Sequence, residues 1–77
     1  MSIAFGLAQP ARVTMAVYDR AGRLVRHLVD HETMPVGDHV VRWNGRDEDG
    51  QLASDGIYLI NAEIGERRQT LPFAVVR

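Results

Sequence analysis

The pairs Asn44-Gly45, Asp49-Gly50 and Asp55-Gly56 constrain this chain more than any other feature, because they crowd around its only tryptophan, Trp43. Asn-Gly and Asp-Gly tolerate positive φ, so each pair carries turn chemistry and no helix runs through this stretch. His39 to Trp43 before them reads as a strand, and a new strand begins at Ile57-Tyr58. Val41 and Trp43 fall on one face of the first strand with His39, and Val40 and Arg42 on the other, which makes Trp43 a predicted core residue.

The rest of the chain keeps the two-residue period. Ile3, Phe5 and Leu7 alternate with small residues as a first strand, which Pro10 interrupts. Val13, Met15 and Val17 alternate with Thr14, Ala16 and Tyr18, as in a strand with one buried face. Asp19 to Gly22 forms a short hairpin loop, and Arg23 to Val29 the return strand. Val25 and Leu28 stand three apart, so either a bulge shifts the register or Leu24 and Leu28 share the inner face. Asp30 to Asp38 reads as a polar connection whose Met34-Pro35-Val36-Gly37 segment crosses from one sheet to another. Gln51 to Ala53 is a very short strand, and Ile57 to Ile64, apolar on both faces at first, is a central one. Gly65-Glu66 has its glycine first, the type II′ arrangement, and leads into a last strand, Arg67 to Val76. Phe73 and Val75 share a face of that strand, while Pro72 indicates an edge position near its start. Apolar residues nowhere recur at helical spacing over three turns. The expectation is an all-β antiparallel sandwich of about seven short strands, one domain over residues 1–77.

Seventy-seven residues give a thin stability margin, since a chain of this size buries only about 60% of its unfolded surface. A net charge of −1 carries no electrostatic footprint for nucleic acid or an anionic membrane. All nine basic residues are arginine, which reads as compositional bias and not as a functional signal. The absence of cysteine excludes a disulfide framework, a thiol nucleophile and thiolate metal ligation. Met1 to Ala8 lacks a basic start and is too short in its apolar run for a signal peptide, so export would need a signal outside this sequence. No run approaches the roughly 20 apolar residues that span a bilayer.

Val13 to Arg26, Gly37-Asp38-His39, Trp43 to Asp47 and Ser54 to Tyr58 together resemble the immunoglobulin-like domain of the flagellar hook-capping protein. The same domain type recurs at the C-terminus of many secreted bacterial proteins, including cargo of the type IX secretion system. The likeness covers Ile3 to Arg77. It implies an immunoglobulin-like β-sandwich with structural, assembly or secretion roles and no catalytic residues. Asn44 stands where the family usually has aspartate, and Leu71 to Arg77 lacks the lysine of a type IX sorting tail.

Three constellations invite chemistry. Asp47-Glu48-Asp49-Gly50 suggests a calcium loop, but on the EF-hand template Gly45 falls at the first ligand position and Gly56 at the twelfth. A turn in which Asn44, Asp47 and Asp49 bond nearby amides explains the same residues. His27, His31 and His39 face no fixed common point on strands and loops, and read as partly exposed histidines. Ser54 and Asp55 with a histidine list the ingredients of a hydrolase triad without a nucleophile elbow. Arg20, Arg23, Arg26, Arg67 and Arg68 read as solvated strand faces. Tyr18 and Tyr58 sit beside turns, where each ring packs inward and its hydroxyl caps backbone groups; Trp43, Tyr18 and Phe5 are expected to be buried.

No catalytic, cofactor-binding or metal-binding residue is therefore expected, and no cofactor. The leading expectation is a non-catalytic interaction module of an exported bacterial protein, extracellular, on the cell surface or periplasmic. Its partners would be proteins, met at sheet edges open to self-association, and neither nucleic acid nor a membrane interior. A different class, a carbohydrate-binding module of a secreted enzyme, would need exposed aromatics, and the chain has five aromatic residues in all. The hook-cap domain itself is the third expectation.

Overall fold

The structure is a computed structural model that describes residues 1–76; Arg77, on which the domain reading and the chain-end reading both close, lies outside the described residues. Six strands follow one another: β1 Ser2–Leu7, β2 Ala11–Asp19, β3 Leu24–Met34, β4 Gly37–Arg42, β5 Gly56–Ile64 and β6 Arg67–Val75. They form two antiparallel sheets, β1-β4 and β3-β2-β5-β6, packed face to face as an immunoglobulin-like sandwich.

Period-two patterning positions the core. Val13, Met15 and Val17 of β2 and Ile60 of β5 point inward from the larger sheet, and Val41 and Trp43 meet them from the smaller. The core has two parts. Around Trp43 lie Val17, Ala53, Tyr58 and Ile60, with Phe73 and Val75 against them. Around Met15 lie Val13, Val29 and Val41, with Phe5, Leu7 and Met34.

Six strands stand where about seven were expected. Gln51 to Ala53 forms no strand; the isolated bridge Arg46–Leu52 is all the pairing there, because the loop is too tightly turned to extend. Asp30 to Asp38 also differs from its reading as a connection. β3 runs on to Met34, pairing Glu32, Thr33 and Met34 with Val13, Arg12 and Ala11, so only Pro35-Val36 links the two sheets. The polar alternation of this half lies on an edge strand, where one side of each residue meets water.

The register of β3 resolves as bulges. Tyr18 pairs with Leu24 and Val17 with Arg26, leaving Val25 extra; Ala16 pairs with His27 and Met15 with Val29, leaving Leu28 extra. Both extra residues pack into the core, while Leu24 is 43% exposed. Pro72 does lie on an edge strand, but sixth of nine residues and opposite Leu59. Gly65 has φ 61°, as the first central residue of a type II′ turn requires, and Ile64 pairs with Arg67 across it.

Candidate functional site

The polar loop from Asn44 to Ala53 is the densest cluster of chemistry-bearing side chains, and its geometry shows how each is used. Trp43 is only 4% exposed, and its indole Nε1–H donates to the Arg46 carbonyl at 2.9 Å. The ring is edge-on to Tyr58 (centroids 5.9 Å apart) and to Phe73 (5.7 Å). The indole thus fills the core and fixes the start of the loop at once.

Inside the loop, side chains replace the missing backbone ladder. Asn44 Oδ1 accepts from Arg46 N at 3.0 Å, and Asp47 Oδ1 accepts from Asp49 N and Gln51 N at 2.9 and 3.0 Å. The Arg46 guanidinium donates to the Gly50 carbonyl at 2.8 Å. These are the local side-chain bonds through which Asn and Asp stabilise turns. Asp49, expected to act likewise, contributes its amide as donor to Asp47.

Glu48 points the other way, onto β3. Its amide donates to the Val25 carbonyl at 3.0 Å, and its Oε1 accepts from the His27 amide at 2.6 Å with His27 Nδ1 3.2 Å away. Arg26 adds a bond from Nη1 to the Asp47 carbonyl at 3.1 Å, so this arginine is engaged and not a freely solvated side chain. The His27 amide, above all, holds the Glu48 carboxyl below its ordinary pKa. Sequence reasoning missed this clamp. It leaves no local signal, because its partner lies 21 residues away.

The structure does not bring the three histidines together. His27 meets Glu48, His31 Nδ1 lies 2.7 Å from Asp30 Oδ1, and His39 Nε2 donates to the Pro35 carbonyl at 2.7 Å while its ring lies 5.4 Å from that of Phe5. Among the described residues, no group of three or more His, Asp or Glu is placed to hold a metal ion. Ser54 finds Tyr58: the tyrosine hydroxyl donates to the Ser54 carbonyl at 2.6 Å, with the serine hydroxyl 3.5 Å from it. Tyr58 is buried with its hydroxyl capping the backbone, as the sequence predicts. Tyr18 is half-buried on the opposite face, beside Leu59, and Phe5 is also half-buried; both correct the expectation of burial. Tyr18 differs because Val17, one residue earlier, already occupies the inner face.

At the hairpin after β2, Asp19 Oδ1 accepts from the amides of Ala21 and Arg23, each at 2.9 Å, and Oδ2 meets Arg23 Nε at 3.0 Å. The Arg23 amide leads the interactions that hold this carboxyl below its ordinary pKa. Arg68 reaches Glu63 at 3.3 Å. An open depression of about 800 Å³ lies between this hairpin and Leu52 to Tyr58. Among the described residues no helix is long and apolar enough to cross a membrane.

The arrangement holds shape: the side chains of Asn44, Arg46, Asp47 and Glu48 are bonded within the loop or to β3. Comparison with known proteins agrees with the fold. The family model described as FlgD Ig-like domain matches residues 1–66. No curated protein sequence gives a significant match.

Proposed function

This chain belongs to the FlgD Ig-like domain family, a family of structural domains of the flagellar hook-cap type, and from that premise we propose that it is a non-catalytic interaction module of an exported bacterial protein. Its work is assembly, attachment or docking of a larger extracellular or periplasmic structure, through contacts with proteins. The observation that carries the reading is where the polar groups of the Trp43 loop go. Asp47, Glu48, Asn44 and the indole N–H all bond to the chain itself. A catalytic or ligand-gripping loop needs such groups converging on an outside atom. The burial of Trp43 and Tyr58 also removes the best stacking platforms for a sugar.

The test is fractionation of the source cells combined with photo-crosslinking from exposed strand positions. The expected result is recovery in the periplasmic, surface or medium fraction, crosslinked to a protein of a surface assembly. Recovery only in the cytosol with no protein crosslink, or specific retention on an insoluble polysaccharide, would overturn the reading.

A further inference from the structure

We propose that the free edge of β1 receives one extended segment of a partner protein: an added antiparallel strand, apolar at alternate positions and carrying a carboxylate at its amino end. The inference rests on the interaction reading above and names the edge and the chemistry of the partner.

Of the four edge strands, three are guarded. An edge strand exposes unpaired N–H and C=O groups, and proteins blunt such edges with bulges, prolines, charges or covering loops. β3 is bulged at Val25 and Leu28, and Glu48 occupies the outward carbonyl of Val25 and the outward amide of His27. On β6, the bond from Gly65 N to the Arg12 carbonyl at 2.9 Å fixes which β5 residues face β2. Alternation then directs Arg68, Thr70, Pro72 and Ala74 outward from β6, so Pro72 deletes a donor from the middle of that free edge. β4 carries Asp38 and Arg42 at outward positions.

β1 has none of these guards. Met1 and Trp43 exchange both backbone bonds, at 3.0 and 2.8 Å, so Ile3, Phe5 and Leu7 face β4 and the amides and carbonyls of Ser2, Ala4 and Gly6 point outward. No side chain from Met1 to Ala11 is charged. Pro10 lies beyond the strand, and the pairing with β4 is regular throughout.

The larger sheet runs on beneath this edge. A constant-type immunoglobulin sandwich sets three strands against four, whereas here two face four, roughly 5 Å of strand spacing against roughly 14 Å. β4 follows β3 across the short link and lies against it, so the overhang is on the β6 side, beside β1. Leu71 pairs with Ile60 and shares its inward face, yet it is 46% exposed, while Val29 on the other edge strand is buried. Phe73 and Val75 of β6 are only half-buried, as are the inward Ile3, Phe5 and Leu7 of β1. An open depression of about 470 Å³, lined by Met1, Trp43, Phe73 and Val75 among others, continues the strip at one end.

The overhang selects the occupant. A second folded copy, paired here about a two-fold axis, would drive its β5 and β6 into those of the first, whereas a lone extended segment needs only the width of one strand. Paired antiparallel, its residues opposite Ser2, Ala4 and Gly6 exchange backbone bonds and turn their side chains to solvent. Those opposite Ile3 and Phe5 turn inward over Leu71 and Phe73, and so are apolar. Charge sets the far end. Leu7 packs in the half of the core that holds Ala62 and Ile64, whose partners on β6 are Gln69 and Arg67. Alternation puts Arg67 on the inward side with Leu71, exposed and, among the described residues, paired with no carboxylate. The amino end of an antiparallel strand arrives beside Leu7, where an acidic residue meets that guanidinium.

NMR titration of the isotope-labelled chain with the acetylated, amidated peptide Asp-Thr-Val-Thr-Val-Thr-Val tests this. In the free chain the amides of Ala4 and Gly6 should exchange faster than those of Ile3 and Phe5, which β4 occupies. With peptide, the expected result is saturable shifts and slowed exchange at Ser2, Ala4 and Gly6, with contacts from the valines to Leu71 and Phe73. Ala4→Pro deletes an outward donor at an edge position and should weaken binding about tenfold. Arg67→Glu should reverse the preference between this peptide and its Lys-led counterpart. Circular dichroism separates lost binding from lost folding, and the exposed Arg67→Glu change keeps the test decisive should proline disturb β1. Ala4 and Gly6 amides already slow in the free chain would mean an edge covered from within or by another copy, and would overturn the proposal. So would the absence of saturable shifts, shifts confined to the other edges, or an unchanged preference in Arg67→Glu. A peptide that fails to bind leaves the crosslinking test of the interaction role standing.

Discussion

The two halves of the core differ in what holds them. Around Met15 the contacts are aliphatic and end at the side chains: Val13, Val29 and Val41 pack, with Phe5 and Leu7 at the margin. Around Trp43 two of the core rings are tied to hydrogen-bonded loops, the indole to Arg46 and Tyr58 to Ser54, while Asp47 and Glu48 fasten the adjoining turn and its contact with β3. Burial alone builds the first half, whereas burial and polar satisfaction are coupled in the second. Loss of one aromatic there should release a loop as well as leave a cavity.

The widest separation should come from Trp43→Ala. We expect a loss of about 3–5 kcal/mol, near the whole margin of so small a domain, read by urea denaturation. Met15→Ala should cost somewhat less, about 2–4 kcal/mol, because it leaves an aliphatic cavity only. Amide exchange in the loop sharpens the contrast: Asp49 and Gln51 should lose protection beyond the global change in the first variant and not in the second. Equal loop effects from both variants would break the distinction.

Tyr58→Phe keeps the ring and removes its bond to the Ser54 carbonyl, for an expected loss of about 1 kcal/mol in the same denaturation assay. The smallest effect belongs to pH. Asp19 and Glu48 have folded pKa values below their ordinary ones, so their contribution is present above the unfolded pKa, near 4, and is lost as pH falls through the folded value. Melting temperature should therefore drop in acid below about pH 4, and Glu48→Gln should flatten part of that drop. Glu48 is exposed and Asp19 lies at the surface of a hairpin open to solvent, so the change should be slight.

Much of this was legible in the sequence, and the exceptions share a cause. The period of two in Val13 to Val17, the turn pairs around Trp43, the Gly65-Glu66 hairpin and the crossing at Pro35-Val36 are local signals, and the structure bears them out. The extension of β3 to Met34 was hidden because the bulges at Val25 and Leu28 break the alternation, and His31, at φ 50°, takes a backbone conformation its residue type does not announce. The ring of Tyr18 suits a core by residue type, but period-two alternation gives the inner face to its neighbour Val17. The bond of Glu48 to His27 joins positions 21 residues apart and leaves no periodic trace.

Hydrogen exchange of the Trp43 indole N–H, followed by NMR in the intact chain, tests the account most directly. If the loop is scaffold bonded to a core indole, that proton exchanges as slowly as the amides of Val17 and Ile60, and adding calcium leaves its rate and shift unchanged. An indole proton that exchanges as fast as a surface amide, or that responds to calcium, would show instead that the loop opens toward a ligand.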